Sequence, residues 1–302
     1  MFLAVLVMAG LTAALASPAS AGISRGWEHV CGEQTFSVLS FLEMSSAARG
    51  EQLREPELEQ AAKEAPRRGK PDRTARAVPT YVHVVTPDGV VGSVSARSIR
   101  EQLTVLDLTF GGFYGGFPTG FDFALAGITR TVNAAWFNAA IGTAAEHDMK
   151  RTLRRGGDES LNLYVTSGAG YLGWAYFPSI LDTSQAYLDG VVVNWKTLPG
   201  ASDAYAGRYD LGYTSTHEVG HWLNLFHTFE GACGPIGDRI GDTPAEVLPT
   251  TGCPIGKDSC PGKPGLDPVH NYMDYSYDAC FTEFTADQAA RMQDAWAFWR
   301  AS

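Results

Sequence analysis

The chain has 302 residues, 45% hydrophobic, 11% aromatic and 19% charged, a globular composition long enough for one large domain plus an accessory segment. Its formal net charge of −10 argues against a nucleic-acid partner, which would need a basic face. Acidity of this kind serves solubility and says little about fold.

The first residues, MFLAVLVMAGLTAALASPASAG, give an apolar run followed by Ala19-Ser20-Ala21, a small-x-small cleavage pattern. Residues 1–21 therefore read as a secretory signal peptide cut before Gly22, although no Lys or Arg precedes the apolar run. The alternative is a buried helix or a membrane anchor. The run is only about 14 residues, short of the roughly 20 that cross a bilayer. No later stretch qualifies, so the expectation is an exported, extracellular protein without a membrane segment.

Residues 22–77 carry 9 basic and 9 acidic side chains, so the whole net charge belongs to residues 78–302. They show short helix-like runs and no strand pattern. Arg67, Arg68, Lys70, Arg73 and Arg76 form a basic, proline-flanked stretch that is expected to be exposed and easily cut. The segment reads as a processed prosegment, with a plain solvated linker as the alternative.

From Val78 onward the pattern becomes that of a folded domain. YVHVVT (81–86) alternates and is β-branched, a strand. SARSIREQLTVLDLTF (95–110) has helical apolar spacing behind a serine start, a helix. FDFALAGITRT (121–131), LNLYVTS (161–167), LGWAYFP (172–178) and GVVVNW (190–195) read as further strands. THEVGHWLNLFHTF begins the next helix at 216. Residues 230–280 are rich in Gly, Pro, Asp and Cys, a long irregular loop. TADQAARMQDAWAFW (285–299) closes the chain as a helix with a Thr285…Gln288 capping box. The expected fold is α/β: a twisted mixed sheet and the site helix in the first half, and a less regular, cysteine-tied second half.

Five cysteines fit an exported protein. Cys233, Cys253, Cys260 and Cys280 cluster in the loop and suggest two disulfides, with three connectivities open. A four-cysteine zinc site is disfavoured because no C-x-x-C pair is present. Cys31 stands alone.

His217 and His221 are four apart, so on a helix they share one face and can take adjacent corners of a tetrahedral zinc ion. Glu218 points slightly off that face, where a carboxylate can take a proton from a metal-activated water. His227, six residues on, would lie about 600° further round a continuous helix, away from the metal. The helix must break first. Asn224 stands where the break is needed, and asparagine tolerates the left-handed turn second only to glycine. The alternative is an amphipathic helix whose Val219, Trp222, Leu223, Leu225 and Phe226 form core while the histidines do nothing. H-E-x-x-H-x-x-N-x-x-H favours ligands.

HEVGHWLNLFHTFEGAC, DRIGDTPAE, NYMDYS and FTADQAARM, with LGWAYFP and DGVVVNW upstream, resemble the successive blocks of the pappalysin family of metzincin metalloproteases, in its ulilysin-like branch and its extracellular fungal and bacterial members. The resemblance covers residues 78–302, and Asn224 departs from it, since the family usually has glycine there. It implies a metzincin catalytic domain and a zinc-dependent endopeptidase acting on extended peptides or proteins. His217, His221 and His227 would bind Zn2+, and Glu218 would be general base and acid. Met273 would form an apolar floor beneath the metal. Tyr275 would help the oxyanion, or else pack alone. It further implies the pairing Cys233–Cys260 and Cys253–Cys280. LGWAYFP would be an edge strand that pairs with substrate. Cys31, followed by glycine, resembles a cysteine switch whose thiolate holds the zinc in a zymogen. Asp238, Asp242 and Thr243 offer hard oxygen ligands for a structural Ca2+, or form a solvated acidic turn. Asp278 at a pocket base would favour a basic side chain just after the scissile bond. Neither nucleic acid nor membrane is expected as a partner, and the chain is expected to act as a monomer.

Overall fold

The computed structural model of the protein describes residues 75–301. The signal peptide expected over 1–21, nearly all of the expected prosegment and Cys31 lie outside the described residues.

Strand β1 (Arg76–Thr86) begins five residues before the expected YVHVVT and two before the expected domain boundary. It pairs in parallel with both β2 (Phe121–Val132) and β3 (Leu161–Thr166). β3 pairs in parallel with β5 (Val191–Asn194), and β4 (Gly173–Ala175) closes the sheet antiparallel to β5, giving the order β2-β1-β3-β5-β4. Between Thr80 and Tyr81 the register jumps from Leu125 to Gly127, so Ala126 bulges out of the ladder. Of the three inner strands, LNLYVT and VVVN are buried at every position, as strands covered on both faces must be.

One face is covered by helix α1 (Ala96–Phe110) and by the site helix α4 (Tyr213–Trp222). Ser95 caps α1 by accepting from the Ser98 N–H. Ile99, Leu103, Leu106 and Phe110 then pack with Val82, Val84, Leu163, Val165, Val191 and Val193, and with Val219 and Trp222 of α4. Burying each such side chain is worth about 1.5–3 kcal/mol before entropy is counted. The opposite face carries the short α2 (Ala134–Phe137) and α3 (Ala144–Leu153), which bring Phe137, Met149 and Leu153 onto Val85, Tyr164 and Val192.

Neither α2 nor α3 is among the elements expected from sequence. α3 starts at a Thr143 cap that accepts from the Glu146 N–H, so Thr143-x-x-Glu146 is a legible start signal. Glu146 is fully buried and accepts from Gly142 N, Trp174 Nε1 and Tyr176 Oη, with the Lys150 ammonium at 3.1 Å. LGWAYFP forms only three residues of strand, because Pro178 has no N–H to donate and opens a 3-10 turn instead. Trp174 and Tyr176 are held by Glu146, which fixes β4 against α3.

After α4 the chain is irregular to Phe281 and is tied by Cys233–Cys260 and Cys253–Cys280, the pairing that the resemblance implies. Helix α5 (Ala286–Ala295) carries the full Thr285/Gln288 capping box and runs on through a wider π turn, Trp296–Arg300. Arg300 is fully buried. Its guanidinium donates to both Asp189 carboxylate oxygens, to the Asp158 carbonyl and to the Trp222 carbonyl that ends α4. It also stacks 3.6 Å from the centre of the Trp222 ring. The C-terminal segment thus fixes the end of the site helix.

Candidate active site

All ten residues of α4 are buried, including His217, Glu218 and His221. The helix ends at Trp222 and Asn224 adopts φ +79, the left-handed turn that its position demands. Leu225 N then donates back to the Gly220 carbonyl, and the chain reverses to bring His227 beside the other two histidines. The turn does a second job: the Leu225 carbonyl accepts from His221 Nδ1 at 2.7 Å. His217 Nδ1 donates to the Tyr272 carbonyl, also at 2.7 Å.

Those two bonds fix the tautomers, because a ring nitrogen facing a carbonyl must carry the proton. The Nε2 lone pairs of His217 and His221 therefore point at one another 3.1 Å apart, and His227 Nε2 is 3.0 Å from His221 Nε2. Acceptors facing one another at that distance need a cation between them. Nitrogens bound to one tetrahedral zinc at about 2.0–2.1 Å stand roughly 3.3 Å apart, so the three imidazoles fit that metal. Burial, and then mutual repulsion, holds His217 near pKa 3; burial holds His221 near 4, and His227 is lowered in the same direction. All three are neutral at neutral pH, the form in which an imidazole can bind a metal. Among the described residues this is one of two clusters with metal-ligand spacing, and the other includes Cys253 and Cys280, which are joined in a disulfide.

Glu218 lies one step round the helix, against Gly173 of β4. A methyl on Gly173 would stand 2.8 Å from Glu218 Cγ, 2.9 Å from its Oε1 and 2.8 Å from the Val192 carbonyl. Burial pushes the Glu218 carboxyl up to about 8, the direction desolvation always gives an acid. Met273 packs beneath α4 at Gly220, where any side chain would collide with its sulfur and approach its methyl to 3.2 Å. The same segment supplies the Tyr272 carbonyl to His217 and, through the Met273 carbonyl, an acceptor for Thr228 N. Tyr275 Oη is 3.1 Å from His227 Nε2, so the phenol reaches the point where the three imidazoles converge. Phe229 stacks on the far face of His227 with centroids 4.7 Å apart. Gly173, Gly220 and the two carbonyl acceptors were not singled out in the sequence. Only Gly220 left a signal there, as a glycine inside a helical pattern.

A small pocket opens beside Glu218 and is lined by Leu172, Tyr209, Tyr213, Phe281 and Asp278 among others. Asp278 is 2% exposed, accepts from Leu211 N at 2.8 Å, and has its carboxyl pushed up to about 7 by burial. Of the three expected calcium ligands, Asp238 and Thr243 meet, the hydroxyl lying 2.8 and 2.9 Å from the carboxylate oxygens. Asp242 turns away and accepts from Asp287 N in the first turn of α5.

The family described as Pregnancy-associated plasma protein-A matches residues 162–297, which hold the histidine cluster, Glu218 and the Met273 turn. An extracellular metalloprotease of Verticillium alfalfae is 46% identical over 235 residues, 76% of this chain and 80% of its own length. One from Pyricularia oryzae is 46% identical over 233 residues, covering 76% and 78%. Among solved structures, mirolysin in complex with a compound superposes with TM-score 0.64 at 28% identity, over 74% of this chain and 91% of that one. A promirolysin mutant of Tannerella forsythia gives TM-score 0.68 at 27% identity, over 84% and 92%.

Fold and site together define a metallopeptidase of the metzincin kind. More narrowly, the chain belongs to the pappalysin family of metalloproteases.

Proposed function

We propose that the protein is a secreted zinc endopeptidase made as a zymogen. The observation that carries this reading is the convergence of three neutral imidazole Nε2 atoms beside a buried carboxyl. A zinc ion held by His217, His221 and His227 would supply Lewis acidity to a water molecule and to the scissile carbonyl. Glu218 then takes the proton of that water and hands it to the departing amine. A dication nearby favours its ionised form, against the burial that raises its pKa. The Tyr275 hydroxyl donates to the developing oxyanion, and Met273 keeps the floor apolar and rigid.

The outer edge of β4 is unpaired in the sheet order, which suits an extended substrate laid beside Gly173–Ala175. Asp278 in the adjoining pocket favours Arg or Lys just after the scissile bond, so the enzyme would cut its own basic stretch at Arg67–Arg76. Until then Cys31 would hold the zinc in the zymogen. Secretion through a leader at residues 1–21 agrees with relatives named extracellular, and no helix among the described residues is long and apolar enough to cross a membrane. The enzyme acts as a monomer, with neither nucleic acid nor membrane as partner. A structural calcium at Asp238 and Thr243 completes the reading; it raises the melting temperature of wild type but not of Asp238→Asn, and equal shifts would remove it.

The deciding experiment is hydrolysis of a broad peptide library after limited proteolysis, with wild type, Glu218→Ala and a chelator. Cleavage by wild type, lost on chelation and in a mutant that still holds zinc, supports the mechanism. Wild type that holds zinc and cleaves nothing makes the domain a binding module.

A further inference from the structure

The irregular half contains a second centre of charge that none of the roles above uses. The Lys257 ammonium is surrounded by four oxygens: Glu246 Oε1 at 2.7 Å, the Leu248 carbonyl at 3.0 Å, Thr250 Oγ1 at 3.0 Å and Asp267 Oδ2 at 3.0 Å. Glu246 and Asp267 are 0% and 5% exposed, while Lys257 reaches in from a partly exposed position. An ammonium has three protons. Three of the contacts are hydrogen bonds, and the Asp267 oxygen is held by charge, its partner Oδ1 being taken by Ser259 N and Oγ. Two carboxylates, a carbonyl and a hydroxyl around one point are the oxygen types that calcium selects.

The cage is wired to the zinc side. Glu246 Oε2 accepts from the hydroxyl of Thr228, the residue after His227, and Thr228 N donates to the Met273 carbonyl. Thr250 gives its hydroxyl proton to Glu246 Oε1 and its N–H to Asp274 Oδ1, which also accepts from Tyr275 N. Two short chains of bonds thus run from one cation, one to His227 and one to Tyr275.

We propose that these four oxygens form a cation cage that the protein fills with its own Lys257 ammonium, and that the filled cage positions His227 and Tyr275. Lys257 is a positioning residue and touches no substrate. The link to catalysis rests on the zinc-peptidase reading, whereas the cage itself does not. Removing the side chain as Lys257→Ala leaves two buried carboxylates without their cation and frees the space that the lysine stem filled, so that a dication can take its place among the four oxygens. Lys257→Met removes the charge but keeps the stem in the way.

The test is thermal melting and zinc affinity of wild type, K257A and K257M, each titrated with CaCl2. The expected result is a calcium-dependent rise in melting temperature for K257A larger than that of wild type, with no such excess in K257M. Both variants should bind zinc at least tenfold more weakly, and millimolar calcium should restore K257A alone. The proposal is overturned if K257A and K257M respond to calcium alike, or if both bind zinc as tightly as wild type. Should neither fold in calcium-free medium, recovery of folded K257A but not K257M from calcium-containing medium supports the cage. Recovery of neither, or of both, overturns it. Melting is read without peptide, so failure of the cage and failure of the peptidase reading give different results.

Discussion

Gly173→Ala is the substitution that most directly tests how the site is held. The added methyl would stand 2.8 Å from the Val192 carbonyl and 2.8 and 2.9 Å from Glu218 Cγ and Oε1. Ordinary contact begins near 3.4 Å, so something must give by about 0.6 Å or more, within the range where overpacking costs about 1–3 kcal/mol. Val192 lies in an inner strand buried at every position and does not yield. Either β4 slides outward or Glu218 swings away from the imidazoles. Displacing a catalytic group by about 1 Å costs on the order of 10² in rate. The three atoms nearest the added methyl include none from the histidines, so zinc should be retained. We therefore expect G173A to keep stoichiometric zinc, to melt a few degrees lower, and to lose about 100-fold in kcat/KM. Metal content and peptide hydrolysis, measured on one preparation, read both. A variant with wild-type kcat/KM would show that Glu218 is not braced by β4.

Three other predictions follow from the same geometry. Asn224→Ala keeps a left-handed turn without the residue types that tolerate it, at about 1–2 kcal/mol, so chelator competition should show zinc bound about tenfold more weakly while Asn224→Gly stays near wild type; equal affinities in all three would refute the turn's role. His83 is fully buried, with Nε2–H given to an Asn162 oxygen whose orientation Arg155 N fixes, and burial holds its pKa near 4 despite that bond. Because the folded pKa is depressed, its stability contribution is present above pH 6.5 and lost as pH falls towards 4, about 3 kcal/mol in all; urea melts should show wild type losing that much more than His83→Gln between pH 7.5 and 4, and parallel slopes would contradict it. Replacing Cys253 and Cys280 by alanine opens a loop of 27-residue separation and should lower stability by about 3–4 kcal/mol by calorimetry, whereas an unchanged transition would mean that the loop is held by its polar contacts alone.

The histidine cluster was readable because spacing along a helix converts directly into direction, and Asn224 marked the one place where that conversion had to fail. The sheet was readable from β-branched runs such as GVVVNW, whose burial on both faces leaves little else for them to be. What the sequence hid depends on contacts between distant segments. Glu146 looks like a surface acid, yet it becomes the buried acceptor for Trp174 and Tyr176. LGWAYFP reads as seven residues of strand, but Pro178 and those two anchored aromatics leave three. Gly173 matters only because Glu218 comes from 45 residues later to fill the space above it. Asp242 has the chemistry of a calcium ligand and instead caps α5, a choice made by where residue 287 lies and not by any local pattern.

Arg300 also sets an order of events in time. The site helix ends at Trp222, yet the carbonyl at that end and the ring beside it wait for a guanidinium encoded 78 positions later. While the polypeptide is being made, the histidines, Glu218 and the Met273 turn all emerge before the group that fixes the end of the site helix. A nascent chain therefore carries every reacting group without the finished enclosure. Replacing Arg300 by methionine returns the folded chain to that unfinished condition without touching the histidine cluster.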